Sequence, residues 1–142
     1  MVPQVALQSQ TMSRLTDSAR KLLEGKNLLY MTTINPDGSP QITPVWVDTD
    51  GQNVLVNTAV GRVKQKNVTR DPRVALALNT PTDFYDVALI RGRVVEQITG
   101  DAADKHIDKL AKKYLGKDTY PWRNPKEKRV LLKIQPDRVI SR

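Results

Sequence analysis

"VLVNTAVGRVKQKNVTRDPRVAL", Val54 to Leu76, is the stretch on which the reading of this chain turns. Its opening residues are β-branched and apolar enough for a strand, Gly61 permits a turn, and the next residues can form about two helical turns before Pro72 stops them. From Val74 the chain is apolar again, and a further strand is expected. A helix start offers unpaired backbone N–H groups and the positive end of a dipole, where phosphates bind readily. Arg62 and Lys64 fall in that first turn, and an arginine can grip two phosphate oxygens at once. Asn67, three residues beyond Lys64 on the same helical face, has an amide to donate. A bound phosphate is the functional expectation; an ordinary solvated basic helix is the competing one. Lys66 and Arg70 are assigned to solvent.

Working outward, "NLLYMTTI" (27–34) and "QITPVWVD" (41–48) read as strands joined by the turn "NPDGSP". "TDGQ" supplies the next turn and "NVLVNT" (53–58) a third strand, so three consecutive antiparallel strands are expected. After the cationic helix, "RVALALN" places Val74, Leu76 and Leu78 on one face and Ala75 and Ala77 on the other, a small face that can accept a closely packed layer. Tyr85–Ile98 is a long fifth strand interrupted by Gly92, where a bulge, a bend or a close approach is expected. "RVLLKIQP" is a sixth strand, and "RVIS" begins a seventh. Leu15, Ala19, Leu22 and Leu23 trace one helical face up to Gly25; Ile107, Leu110, Ala111, Tyr114 and Leu115 trace another up to Gly116.

The expected fold class is mainly β: a six- to seven-stranded antiparallel barrel with flanking helices, because closing a sheet removes exposed edges. Residues 1–13 read as a flexible N-terminal arm and 14–142 as a single domain. Strand 27–34 carries apolar residues on both faces, so a surface outside the barrel needs covering, and a second copy of the chain would do that.

Composition narrows the function. With 23 Lys and Arg against 15 Asp and Glu, the net charge is +8, which favours an anionic partner. There is no cysteine, so disulfides, thiolate metal sites and a cysteine nucleophile are excluded. No secretory signal and no membrane-spanning apolar run is evident, and a soluble cytoplasmic protein with no membrane partner is expected. No Ser-His-Asp arrangement or metal-ligand spacing stands out. His106, the sole histidine, lies beside the apolar stripe of a helix, where a structural or solvated role is expected, and no catalytic side chain is named.

The segments "LLYMTTINPDGSPQITPVWV", "VLVNTAVGRVKQKNVTRDPRVAL", "IRGRV" and "YLGKDTYPWRNPKEKRVLLKIQPDRV" resemble the pyridoxamine 5'-phosphate oxidase-like split-barrel superfamily, and within it the branch of F420 (deazaflavin)-dependent oxidoreductases. The second segment is the most specific: a strand, then G-R-x-K-x-x-N, then D-P-R-V. The resemblance implies a homodimeric split barrel with cofactor sites at the dimer interface. It places the cofactor phosphate at Gly61, Arg62, Lys64 and Asn67, and the ring along Gln41, Thr43, Pro44 and Val45 beside Asn57, Thr58 and Ala59. An aromatic at Phe84 or Tyr85, with Tyr85 preferred, covers the ring. Trp122 and Arg123 are candidates for holding an anionic substrate, although a structurally anchored loop would look the same. The implied cofactor is F420, whose anionic tail suits the charge, and FMN is the alternative.

The implied activity is hydride transfer from reduced F420 to a conjugated acceptor such as biliverdin, an enone or a quinone. The alternative within the fold is an FMN-dependent enzyme of the pyridoxamine 5'-phosphate oxidase kind. From a different class, a basic barrel could bind nucleic acid without catalysis; aromatic residues at 5% supply few stacking rings for that role.

Overall fold

The computed structural model describes residues 14–142, so the arm expected over 1–13 lies outside the described residues. Thr16 caps the first helix by accepting from the Ala19 N–H at 3.1 Å, and α1 (Asp17–Glu24) then buries Ala19, Leu22 and Leu23. The chain continues as β1 (Leu29–Ile34), β2 (Pro40–Val45), β3 (Val47–Thr49), β4 (Val54–Ala59), α2 (Val63–Arg70), β5 (Arg73–Thr80), β6 (Asp83–Ile98), α3 (Asp101–Leu115) and β7 (Arg129–Ser141).

Among the described residues the strands form one seven-stranded sheet in the order β2-β1-β5-β6-β7-β4-β3, every neighbouring pair antiparallel. The sheet curls into a split half-barrel whose inner face supplies Leu29, Met31, Val54, Val56, Leu76, Leu78, Ile90, Leu132 and Ile134 to the main core. The leucines of α1 enter that core near the start of β1, and Val68 of α2 enters it from the β1 end that carries Thr33. The two helices stopper opposite mouths of the curl. α3 lies outside, against β7 and β4, with Ile107, Leu110 and Tyr114 forming a second cluster with Trp46 and Tyr120.

Two expectations are corrected. The stretch 41–48 is not one strand: it breaks at Trp46 into β2, which pairs with β1, and β3, which pairs with β4. These pieces form the two opposite edges of the sheet, so the first three expected strands are not a meander. A tight bend at Trp46 lets one continuous segment serve both rims, which a period-2 pattern cannot reveal. "RVIS" is likewise no separate strand, because β7 runs unbroken from Arg129 to Ser141.

The kink expected at Gly92 is present. The β6–β7 register shifts between Arg91 and Gly92, and a Cβ at Gly92 would sit 2.4 Å from the Gln135 carbonyl oxygen. Only glycine lets the strands approach this closely.

Candidate functional site

The corner between β4 and α2 begins at Val60, whose N–H donates to the Lys128 carbonyl at 2.9 Å. Gly61 follows with φ of +94°, a left-handed turn that swings the chain into the helix. Arg62 takes the N-cap position in extended geometry, and no side chain caps the helix there. The first turn holds no acidic residue, so the positive end of the helix dipole is unbalanced. The Gly61 N–H is taken by Gln65 Oε1 at 2.9 Å, and the Arg62 N–H by the Ala59 carbonyl at 3.2 Å. The N–H groups of Val63, Lys64 and Gln65 are the donors this leaves at the helix start.

Three cations converge here. Lys64 is half-buried, and its ammonium is pushed below its ordinary range by burial first and then by the like charges of Arg62 and Arg129. An anion beside Lys64 would relieve both repulsions. Arg62 donates to Glu127 Oε1 at 2.9 Å, and the same oxygen accepts from buried Arg129. With one carboxylate among three cations, the corner keeps an excess of positive charge, as a phosphate site requires.

Asn67 does not face this corner. It is 2% exposed, and its amide donates to Thr33 Oγ1 and Asn35 Oδ1, each at 3.0 Å. Its expected donation to a phosphate is therefore corrected: both donors are committed to β1 and the turn after it. Thr33 in turn donates to Gln41 Oε1 at 3.0 Å, and Gln41 donates to Thr43 Oγ1 at 2.7 Å. This Asn67–Thr33–Gln41–Thr43 chain fixes the edge strand β2 to α2, and so holds the expected ring strand in register with the expected phosphate corner. Val45 packs against the main core, while Pro44 is exposed opposite Tyr30. Arg70, assigned to solvent, is exposed but donates to the Ile34 carbonyl and to Asn67 Oδ1.

On β4 the expected residues divide between two faces. Asn57 turns to α3: its amide donates to the Ala103 carbonyl at 2.9 Å and to His106 Nδ1 at 3.1 Å, while its Oδ1 accepts from Arg129 at 2.9 Å. Thr58 is buried with its Oγ1 unpaired among the described residues, and Ala59 is buried at the strand end. Asn57 thus acts through Arg129 and not by reaching into the corner. His106, with Nδ1 accepting, carries its proton on Nε2, which points toward Asp48 Oδ2 at 4.0 Å. Burial lowers its pKa to about 4, with Asp48 opposing that shift and Lys109, Arg129 and Lys113 adding to it.

The two remaining groups of candidates lie on other elements. Tyr85 lies near the start of β6, whereas the other end of β6 touches α2 through Gln97, which bonds Gln65 and Thr69. Tyr85 thus sits at the opposite end of β6 from α2. Phe84 lies beside it and is 80% exposed. Arg123 pairs with Asp108 at 2.6 Å and Asp104 at 3.8 Å on α3. Trp122, 62% exposed, instead rims a cluster in which Trp46 stacks on Tyr114 at 5.3 Å and Tyr120 meets Trp46 edge-on at 6.1 Å. Glu127 and Arg129, the members of the corner missed in the sequence, lie in "KEKRV" at the end of the loop carrying Trp122. Only their i, i+2 spacing at a strand start signals that they share a side.

Known proteins bear on this geometry. The family model described as pyridoxamine 5'-phosphate oxidase matches residues 15–142. The chain belongs to that family. Among curated relatives, the F420H(2)-dependent biliverdin reductase of Mycobacterium tuberculosis (strain CDC 1551 / Oshkosh) is 28% identical over 131 residues, covering 92% of this chain and 90% of that protein. A solved F420 reductase superimposes with a TM-score of 0.77 at 25% identity, covering 87% of this chain and 96% of the other. A Listeria innocua structure, provisionally named a pyridoxamine 5'-phosphate oxidase, matches at 0.61 and 16% identity over 80% of this chain and 86% of its own, which speaks to the fold alone. Among the described residues, no cluster of His, Asp and Glu could hold a metal, and no helix is long and apolar enough to cross a membrane.

Proposed function

We propose that this chain is an oxidoreductase that uses reduced F420 to reduce a conjugated small molecule, with the cofactor phosphate seated at the start of α2. The observation that carries the reading is the uncapped N-terminus of α2 beside Arg62 and half-buried Lys64, an excess of positive charge built into a corner that the fold could otherwise have capped. Support for F420 over FMN comes from relatives that carry that cofactor's name and from a net charge of +8, which suits an oligoanionic tail.

When bound, the deazaflavin supplies the hydride. The chain's own residues bind and orient. The Val63, Lys64 and Gln65 N–H groups and the Arg62 and Lys64 side chains would hold the phosphate, and Gln41, Thr43 and Val45, fixed through Asn67, would set the ring's height along β2. No nucleophile is needed, and acceptor choice falls to the walls around the ring. Biliverdin-like tetrapyrroles, enones and quinones share the flat conjugation this requires.

A homodimer completes the proposal. The outer sheet face exposes Tyr30, Ile42, Leu89 and Ile140, an apolar area suited to a second copy, whose Tyr85 could then lie near the ring. A cytoplasmic location agrees with this reading.

Fluorescence titration with oxidised F420 tests it: micromolar or tighter binding is expected, and absence of binding removes the reading. FMN, the second reading, is favoured by the family's own description. It predicts a yellow protein on purification, and a colourless protein indifferent to added FMN argues against it. Nucleic-acid binding requires affinity that falls steeply with salt, which the same preparation can show.

A further inference from the structure

We propose that Glu127 is an internal counter-ion of the phosphate corner, holding the place on Arg62 that a ligand's phosphoryl oxygens take, so that anion binding is coupled to the loop carrying Trp122. This rests on the reading of the α2 corner as a phosphate site.

The Glu127 carboxylate uses one oxygen, Oε1, for both guanidinium groups, Arg62 at 2.9 Å and Arg129. The two pairs are unequal. The Arg129 side chain is 8% exposed and is secured on its other edge by Asn57, with Tyr120 beneath it at 5.3 Å. The Arg62 side chain is 47% exposed, and Glu127 is its one ion-pair partner among the described residues. A half-exposed pair contributes little and exchanges readily, whereas separating a buried guanidinium from its carboxylate is costly. An arriving anion therefore takes Arg62 and leaves Glu127 with Arg129.

The exchange reaches the loop because Glu127 belongs to it. The Glu127 N–H donates to the Asn124 carbonyl at 2.9 Å, and the next residue, Lys128, accepts from Val60 at the corner itself. Once Arg62 turns to a phosphate, two anions share one small space and the 124–128 segment loses its tie to α2. The loop's other anchors, Arg123 and the Tyr120 N–H on Asp108, lie nearer α3 and persist. Trp122 stands between the two sets of anchors, so its surroundings report the exchange. Glu127 is thus a positioning residue that lowers affinity for the anion in return for ordering the loop when no ligand is bound.

Glu127→Gln removes the charge but keeps an acceptor for Arg129, which Asn57 also secures, and thermal melting checks that the fold is retained. Two probes are titrated: oxidised F420, followed by fluorescence, and inorganic phosphate, followed by the amide resonances of Gly61–Gln65. Glu127→Gln is expected to tighten both by about three- to tenfold, and the gain is expected to vanish in an Arg62→Ala background. In a Trp46→Phe protein, which leaves Trp122 as the sole tryptophan, phosphate should shift the emission, and adding Glu127→Gln should abolish that shift. Weaker or unchanged binding by Glu127→Gln, or a gain that persists without Arg62, overturns the proposal. Phosphate binding without F420 binding would instead overturn the assignment of the cofactor and leave the counter-ion role standing on the phosphate arm.

Discussion

Lys64 is where a single side chain bears most directly on the proposed function. Its ammonium is held among like charges in partial burial, an arrangement that a bound anion would stabilise. Lys64→Ala should weaken F420 or phosphate binding by about ten- to a hundredfold, corresponding to the loss of one charge-assisted contact, while slightly raising the melting temperature of the free protein. His106 sets a pH dependence. Its folded pKa of about 4 lies below the ordinary 6.5, so between those values the unfolded chain binds the proton and the folded one does not. The stability from the neutral, buried imidazole is complete above about pH 6.5 and is lost as pH falls toward 4, on the order of 3 kcal/mol. Urea melts across that range should show the decline, and His106→Gln should flatten it. Gly92→Ala should destabilise by about 2 kcal/mol or more, since a Cβ 2.4 Å from a backbone oxygen forces the strands apart. Thermal denaturation checks this. The helix-start position of Lys64 and the close approach at Gly92 were legible in the sequence, because a basic residue after a turn glycine and a glycine within a strand each carry a local reason. Asn67 was not, because its partners Thr33 and Asn35 lie more than thirty positions away and helical spacing alone put it beside Lys64.

At the level of elements, α2 both presents the corner and fastens the far edge of the sheet. Asn67→Ala should cost about 2 kcal/mol by leaving a buried hydroxyl and carbonyl short of donors. It should also weaken F420 binding more than phosphate binding, because it loosens β2 and leaves Arg62 and Lys64 in place. Comparing the two affinities tests whether the chain from Asn67 to Thr43 positions the ring strand. The helices and most strands could be read from periodicity, and α2 most surely, since Gly61 and Pro72 bracket it. The break at Trp46 could not, because both halves have strand composition and the bend answers to Tyr114, which stacks on the indole and whose hydroxyl accepts from the Val47 N–H at 3.1 Å. A loop with two aromatics was visible at 120–125. That Arg123 serves α3 and Glu127 serves α2 depends on which surfaces meet, and sequence spacing does not carry that.

For the whole molecule, the outer sheet face combines an alanine floor, Ala75 and Ala77, with the exposed side chains of Tyr30, Ile42, Leu89 and Ile140. The small face of β5 was evident from its alternation, and the proposed second copy would supply the layer it accepts. If it does, Leu89→Glu with Ile140→Asp should yield a monomer in analytical ultracentrifugation where the wild type is a dimer, while leaving the circular dichroism spectrum unchanged. A monomeric wild-type protein would contradict the assignment.

The bend at Trp46 has a consequence for how the barrel assembles. The two rims of the sheet are covalent neighbours, so bringing them together costs almost no loop entropy, and the hairpins on either side can each form locally before the central strands unite them. That clasp makes backbone continuity at this one position matter more than at any surface turn. A permuted chain with new ends in the Asp50–Asn53 turn should fold, whereas one opened at Trp46 should leave two raw strand edges and aggregate.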